Sequence, residues 1–277
     1  MVRIGGFIVG IGFVVALLLG IWDTAYNWIK EPPVKTVEEE FHEHAKKPGF
    51  SFEGMFGTYD KRQLQRGLQV YKEVCAACHS LRLVSFRDLS ALGYNEGQIK
   101  TIAAGFQVPS INPETGEPAT RDGIASDRFP SPYANEVAAA AANNNAIPPD
   151  LSLMAKARAD GSNYLYSLLT GYQEQPAELL KKFPEAKTPE GLHYNPYFHT
   201  LNLAMAPPLA DGQVTYSDGT AATLDNYAKD VAAFLTWTAE PKMEVRKSWG
   251  LGTVLFLLIF CFLAWGSYKS IWRDVKH

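Results

Sequence analysis

The chain has 277 residues, 47% of them hydrophobic and 20% charged, with a formal net charge of −3. That composition excludes a disordered chain, and the acidic balance argues against a protein that grips nucleic acid through basic charge. The length allows one large domain or two small ones. The apolar residues are concentrated at the two ends. Residues 4–22 form an uncharged run between Arg3 and Asp23, long enough to cross about 30 Å of hydrocarbon as a helix. A positive charge ahead of an apolar run also opens a secretory signal, but this run exceeds the usual hydrophobic region of about 7 to 15 residues and no A-x-A site follows. With Trp22, Tyr26 and Trp28 as an interfacial aromatic belt, residues 1–23 read as a transmembrane anchor or uncleaved signal.

Residues 24–245 are predicted to lie between two spans, on one side of a membrane. Six basic and two acidic side chains fall outside this stretch, which leaves it at −7. Such a charge favours a basic, soluble partner by electrostatic steering, although plain solubility accounts for it equally well. The segment DKRQLQRGLQVYKEV predicts a helix. Asp60 is its cap, and Leu64, Leu68, Tyr71 and Val74/Cys75 recur at helical spacing. Gly67 would let a second helix cross closely, or would simply weaken the first.

Directly behind lies YKEVCAACHS, with Cys75, Cys78 and His79 in the pattern C-x-x-C-H. This is the attachment signature of c-type haem: two thiols add to the vinyl groups, and the adjacent imidazole becomes an axial ligand. Zinc would want a second Cys or His pair at similar spacing, and the remaining cysteine, Cys261, falls inside an apolar run. A thioredoxin-type dithiol would want a βαβ context, and a disulfide between Cys75 and Cys78 would leave His79 unexplained. Covalent haem of this kind places the domain outside the cytoplasm.

The iron then needs a sixth ligand or an open site. Met55, Met154, Met205 and Met243 are available, with His193 and His199 as nitrogen alternatives. Met205, in LAMAPPLADG, stands out because Pro207 and Pro208 stiffen the chain behind it, though a methionine is more often core filler. Met154, in LSLMAKARA, reads as packing, and the two histidines flanking HYNPYFHT read as surface or hydrogen-bonding residues. Next, TLDNYAKDVAAFLTWTAEP predicts a helix capped by Thr223, with Leu224, Tyr227, Val231, Phe234 and Leu235 on one face and Pro241 as its stop. Residues 248–268 form the second apolar run. Lys247 and Trp249 flank one end, and Trp265, Tyr268, Lys269, Trp272, Arg273 and Lys276 the other. It reads as a transmembrane anchor whose basic tail, 269–277, lies inside.

Taken together, the blocks RGLQVYKEVCAACHSLR, FPSPYANEVAAAAANNNAIPPDLS, ARADGSNYLYSLLTGY, HYNPYF, MAPPL and DVAAFLTWTAEP, followed by the second anchor, resemble cytochrome c1, the haem subunit of the cytochrome bc1 complex. The resemblance runs from about residue 59 to the end. It implies a mostly α fold: a cytochrome c-like haem domain with long loops, plus transmembrane anchor helices. It makes Cys75 and Cys78 the thioether sites of one covalent haem c, and His79 and Met205 the iron ligands. Arg158 then meets a propionate with Tyr164 beside it, and Pro148 and Pro149 line the pocket. The implied partners are cytochrome b, the Rieske iron–sulfur protein, a soluble or membrane-tethered cytochrome c and membrane lipid, without nucleic acid. The implied activity is that of the electron-carrying subunit of ubiquinol:cytochrome c oxidoreductase, with no bond-breaking site in this chain.

Two departures stand out: the N-terminal run looks retained, and Asn145 stands where a glycine is more usual, a place asparagine can fill in a left-handed conformation. The chain opens on the apolar run without an Arg- and Ser-rich transit peptide, which favours a bacterial inner membrane with the haem domain on the periplasmic side. A cytochrome subunit of another membrane enzyme is disfavoured by the single C-x-x-C-H and the MAPPL and SLLTGY blocks, and a haem sensor or peroxidase would lack a strong distal ligand.

Overall fold

The computed structural model describes residues 2–32 and 34–275, so Lys276 and His277, at the end of the basic tail, lie outside the described residues. The chain divides into two units, one ending at Phe41 and the other starting at His42. The first holds α1 (Val2–Lys30) and the short α2 (Val37–Phe41). Helix α1 follows from its uninterrupted apolar run, and its described side chains are exposed along its length. At about 1.5 Å per residue it exceeds the thickness of a bilayer core.

The second unit is mostly helical. It contains α3 (Lys61–Glu73), α4 (Glu96–Ala104), α5 (Glu136–Ala142), α6 (Met154–Ala157), α7 (Gly161–Thr170), α8 (Ala177–Lys182), α9 (Leu224–Ala239) and α10 (Met243–Ile271). Two small antiparallel ladders accompany them. A hairpin joins β1 (Gln107–Ile111) to β2 (Pro118–Asp122), and β3 (His193–Tyr194) pairs with β4 (Asn202–Leu203), setting His193 opposite Leu203. The predicted mostly α fold with long connections is what the structure has; the hairpin was not anticipated.

Helices α3 and α9 form the centre. Asp60 caps α3 by accepting from the Arg62 and Gln63 amides at 2.9 and 3.3 Å, and Thr223 caps α9 by accepting from Asn226 at 3.3 Å. The apolar faces read from the sequence meet here: Leu64, Leu68 and Tyr71 from α3 join Tyr227, Val231, Phe234 and Leu235 from α9 in one core. A buried carboxylate, Asp230, sits within this packing at 2% exposure. An isolated charge there would be costly. Arg66 removes most of that cost by donating from Nε and Nη2 to Asp230 at 2.8 and 3.2 Å, while its Nη1 reaches Asp218 at 3.0 Å.

Gly67 sits at the crossing. A Cβ there would overlap the Asp230 carbonyl oxygen and lie 2.6 Å from the Phe234 Cβ, so the helices can approach this closely only because position 67 has no side chain. Gly67→Ala forces them apart at a packing cost of about 3 kcal/mol, against a helix-propensity gain of about 1 kcal/mol. The net loss of about 2 kcal/mol corresponds to a thermal midpoint roughly 4–8 °C lower, to be read by circular dichroism on the detergent-solubilised protein. An unchanged midpoint would mean that the two helices have slack at the crossing.

Pro241 ends α9 as expected, and α10 starts at Met243, five residues ahead of the predicted span, with the Met243 side chain in the core. The first turns of α10 are bonded to the segment that precedes α3. The Tyr59 amide donates to Glu244 Oε1 at 2.6 Å, and the Tyr59 hydroxyl to the Glu240 carbonyl at 3.1 Å. Lys247, read from the sequence as a flank of the membrane span, donates instead to the carbonyls of Phe52 and Gly57 at 2.6 and 3.1 Å. Beyond it, α10 is apolar and exposed; α1 and α10 are the two described helices long and apolar enough to cross a membrane.

Candidate functional site

Helix α3 stops at Glu73 because Val74 leaves helical geometry, with φ −120° and ψ −59°. The helical spacing expected to run on to Val74 and Cys75 therefore ends one residue short, and Cys75–Ala77 continues as a tighter 3-10 turn. The Cys75 carbonyl accepts from both the Cys78 and His79 amides, at 3.1 and 2.8 Å. Two thiols and an imidazole are thereby gathered on one turn, which the Tyr71 hydroxyl locks to α3 by donating to the His79 carbonyl at 2.9 Å. Both cysteines are free thiols. Burial pushes the Cys75 thiol up to about 12, with Cys78 adding to the shift.

His79 is held from the opposite side. Its Nδ1 lies 2.8 Å from the Pro149 carbonyl oxygen. A carbonyl can only accept, so Nδ1 carries the proton and Nε2 keeps its lone pair. Burial lowers the basicity of the ring, with the Pro149 bond and Asp150 acting against that. The carbonyl is placed by a clamp centred on Asp150. Ser80 Oγ and the Arg82 amide donate to Asp150 Oδ2 at 2.7 and 2.8 Å, the Ser152 amide donates to Oδ1 at 3.0 Å, and the Leu151 amide donates to the Ser80 carbonyl at 2.9 Å. Burial works against the charge on Asp150, yet these bonds hold its carboxyl below the usual range. Pro148 is half-buried and Pro149 exposed, so the contact that Pro149 makes with the imidazole is through its carbonyl.

Arg158 ends α6 in extended conformation and donates from Nη1 to the Ala157 carbonyl at 3.0 Å. Tyr164, on α7, stands beside it as expected: burial raises the phenol and the Arg158 guanidinium partly offsets this. Met205 is half-buried, two residues beyond β4, and its carbonyl accepts from the Tyr172 hydroxyl at 3.0 Å. The other sulfur candidates separate from it. Met154 and Met243 are core side chains, as Met154 was expected to be, and Met55 is exposed. His193 is half-buried on β3, and His199 is exposed with its ring 4.9 Å from that of Phe198. Asn145 does take the left-handed conformation, at φ +61°, together with Asn144 at φ +51°.

Sequence reasoning did not single out Asp150 or Tyr172. The bond from Ser152 to Asp150 is a local aspartate turn that the string PDLS could have signalled. The Tyr172 bond spans 33 residues and leaves no local pattern. Two free thiols on one turn, an imidazole with one nitrogen already engaged, a thioether beside a stiff proline pair and a guanidinium next to a phenol together fit a covalently attached haem with two axial donors. Among the described residues, no three His, Cys, Asp or Glu side chains gather to hold a bare metal ion.

Comparison with known proteins finds similarity over most of the length. The model for the Cytochrome C1 family matches residues 50–275. Cytochrome c1 of Rhodospirillum rubrum is 47% identical over 240 residues, covering 83% of this chain and 88% of that protein. Cytochrome b/c1 of Bradyrhizobium diazoefficiens is 45% identical over 246 residues, covering 83% of this chain and 36% of a longer protein. The mitochondrial cytochrome b-c1 complex catalytic subunit of Candida albicans is 42% identical over 224 residues, covering 81% of this chain and 76% of that one.

Proposed function

Since the chain belongs to the cytochrome c1 family, the haem subunit of the cytochrome bc1 complex in electron transport, we propose that it takes electrons from a Rieske iron–sulfur protein and hands them to a soluble or membrane-tethered cytochrome c. In this role it serves quinol oxidation coupled to proton translocation, and breaks no substrate bond itself. The observation that carries the reading is the turn after α3, where Cys75, Cys78 and His79 are gathered and the His79 Nδ1 is engaged by Pro149.

One haem c, covalently bound through Cys75 and Cys78, would supply a one-electron ferric–ferrous couple. His79 would hold the iron through Nε2, kept neutral by burial and aimed by the Pro149 carbonyl. Met205 would supply a soft thioether as the second iron ligand, which would raise the potential toward that of a high-potential donor. Arg158 would pair with a propionate carboxylate, with Tyr164 beside it, and Pro148 and Pro149 would line the pocket. The chain is anchored by α10 and by α1 in a bacterial inner membrane. The haem domain then faces the periplasm, with Lys269 and Arg273 on the cytoplasmic side.

The complex in which these partners would sit is supported by the relatives, one named for cytochrome b and c1 together and another for the b-c1 complex. Solubilisation in mild detergent followed by capture on a tag at the C-terminus is expected to bring down cytochrome b and an iron–sulfur protein, and the captured material is expected to reduce cytochrome c with a quinol. Capture of the haem chain alone, with no quinol-dependent reduction, would sink the reading.

A further inference from the structure

Met205, proposed above as the sixth ligand, sits just ahead of a proline pair. Pro207 and Pro208 follow Met205 by two and three residues and have no amide protons to donate. The C-terminal end of α7 and the two residues after it meet the connection from β3 to β4 at two places and the Met205 segment at a third. Asn195, fully buried, donates from Nδ2 to the Leu168 carbonyl at 2.8 Å. Gly171 lies flat against the Tyr197 ring, where a Cβ would come within 2.7 Å of Cε2 and 2.6 Å of the Ser167 carbonyl oxygen. Tyr172 then donates its hydroxyl to the Met205 carbonyl at 3.0 Å.

Between these contacts, the connection from β3 to β4 closes on itself. The Asn195 amide donates to the Leu201 carbonyl at 2.8 Å, the Tyr197 amide to Asn195 Oδ1 at 3.0 Å, and the Leu201 amide to the Phe198 carbonyl at 2.8 Å. Leu201, buried at 1% exposure, is held at φ +62°, a left-handed conformation that strains a residue with a branched side chain. Strain of this kind persists only where the surroundings impose it, and here it lies four residues ahead of Met205.

We infer that the last turn of α7 with the two residues that follow it, Leu168–Tyr172, is the scaffold that aims the sixth ligand, and that Tyr172 is a positioning residue acting on Met205 through its backbone carbonyl. This rests on the reading of Met205 as the axial donor. A phenol serving only as packing would leave its hydroxyl to water, and the bond to the carbonyl would carry no information. A positioning hydroxyl biases the segment toward the conformation in which the thioether reaches iron. One neutral hydrogen bond shifts such a two-state ratio by roughly 3- to 10-fold.

The test compares Tyr172→Phe and Met205→Leu with the parent, each as the full-length holoprotein in its membrane. Tyr172→Phe keeps the ring, so the fold and the covalent haem content, read by haem staining, are expected to match the parent. Carbon monoxide competes for the sixth position of ferrous haem, so its affinity is expected to rise about 3- to 10-fold in Tyr172→Phe. The long-wavelength sulfur-to-iron band of the ferric form is expected to weaken, and the midpoint potential to fall. Met205→Leu is expected to abolish the band outright. If Tyr172→Phe matches the parent in band, carbon monoxide affinity and midpoint while Met205→Leu loses the band, the positioning role is overturned and the ligand assignment stands. If Met205→Leu also keeps the band, the ligand assignment falls and the positioning role with it.

Discussion

A chain carrying Cys75→Ser and Cys78→Ser together is expected to accumulate without bound haem, so that a denaturing gel stained for haem shows no band at its mass. Serine is nearly isosteric with cysteine but forms no thioether, and the turn itself does not depend on sulfur: it is closed by the Cys75 carbonyl and by the Tyr71 hydroxyl on the His79 carbonyl. Loss of haem would therefore report on attachment, not on failure to form the turn. Cys261→Ser is the matched control, because that cysteine lies on the apolar face of α10. It is expected to keep full staining. Full-strength staining of the double variant would refute covalent attachment at this turn, whatever else binds the cofactor.

The second large effect is expected from Met205→Leu. Leucine occupies nearly the same volume, and swaps of this kind cost less than about 1.5 kcal/mol. The fold and the thioethers are expected to survive while the iron loses a soft donor. A thioether favours the ferrous state, so its removal is expected to lower the midpoint by on the order of 100 mV, a modest part of the roughly 0.8 V that axial ligation spans. Electron delivery to cytochrome c is expected to fall with it. A redox titration beside a ferric spectrum decides the matter: an unshifted midpoint with the sulfur-to-iron band intact removes Met205 from the ligand set. Met154 and Met243 are poor replacements, since both are core side chains, and Met55 is exposed.

The parts of this molecule that could be read from its sequence are those fixed by neighbours along the chain. Asp60 and Thr223 announce helix starts because a cap bonds two or three residues ahead, and the apolar spacing of α3 and α9 fixes which faces meet. The C-x-x-C-H turn is legible for the same reason. Gly67 hinted at a crossing, but its two possible meanings could be separated only once Asp230 and Phe234 were seen opposite it. What could not be read are bonds between distant segments: Arg66 to Asp230, Asp150 to Ser80 and Arg82, and Tyr172 to Met205. None changes local propensity. Asp230 runs against the pattern, since a carboxylate on the buried face of a helix reads as an error until its partner is known. Lys247 shows a related limit: a lysine beside an apolar run suits a membrane surface, and nothing local announces that it also bonds two backbone carbonyls.

That lysine sets where the chain can be cut. A soluble haem domain cut where α10 begins would end near residue 242. Such a fragment would lack Met243 from its core, Glu244 as acceptor for the Tyr59 amide, and the ammonium that bridges the carbonyls of Phe52 and Gly57. The segment from Phe50 to Tyr59, which packs Phe52 against Phe50 and Tyr59, would lose the hydrogen bonds that tie it to α10. A fragment ending just after Lys247 keeps all of these bonds and discards the apolar run, so the boundary between domain and anchor falls one and a half helical turns inside α10 and not at its start.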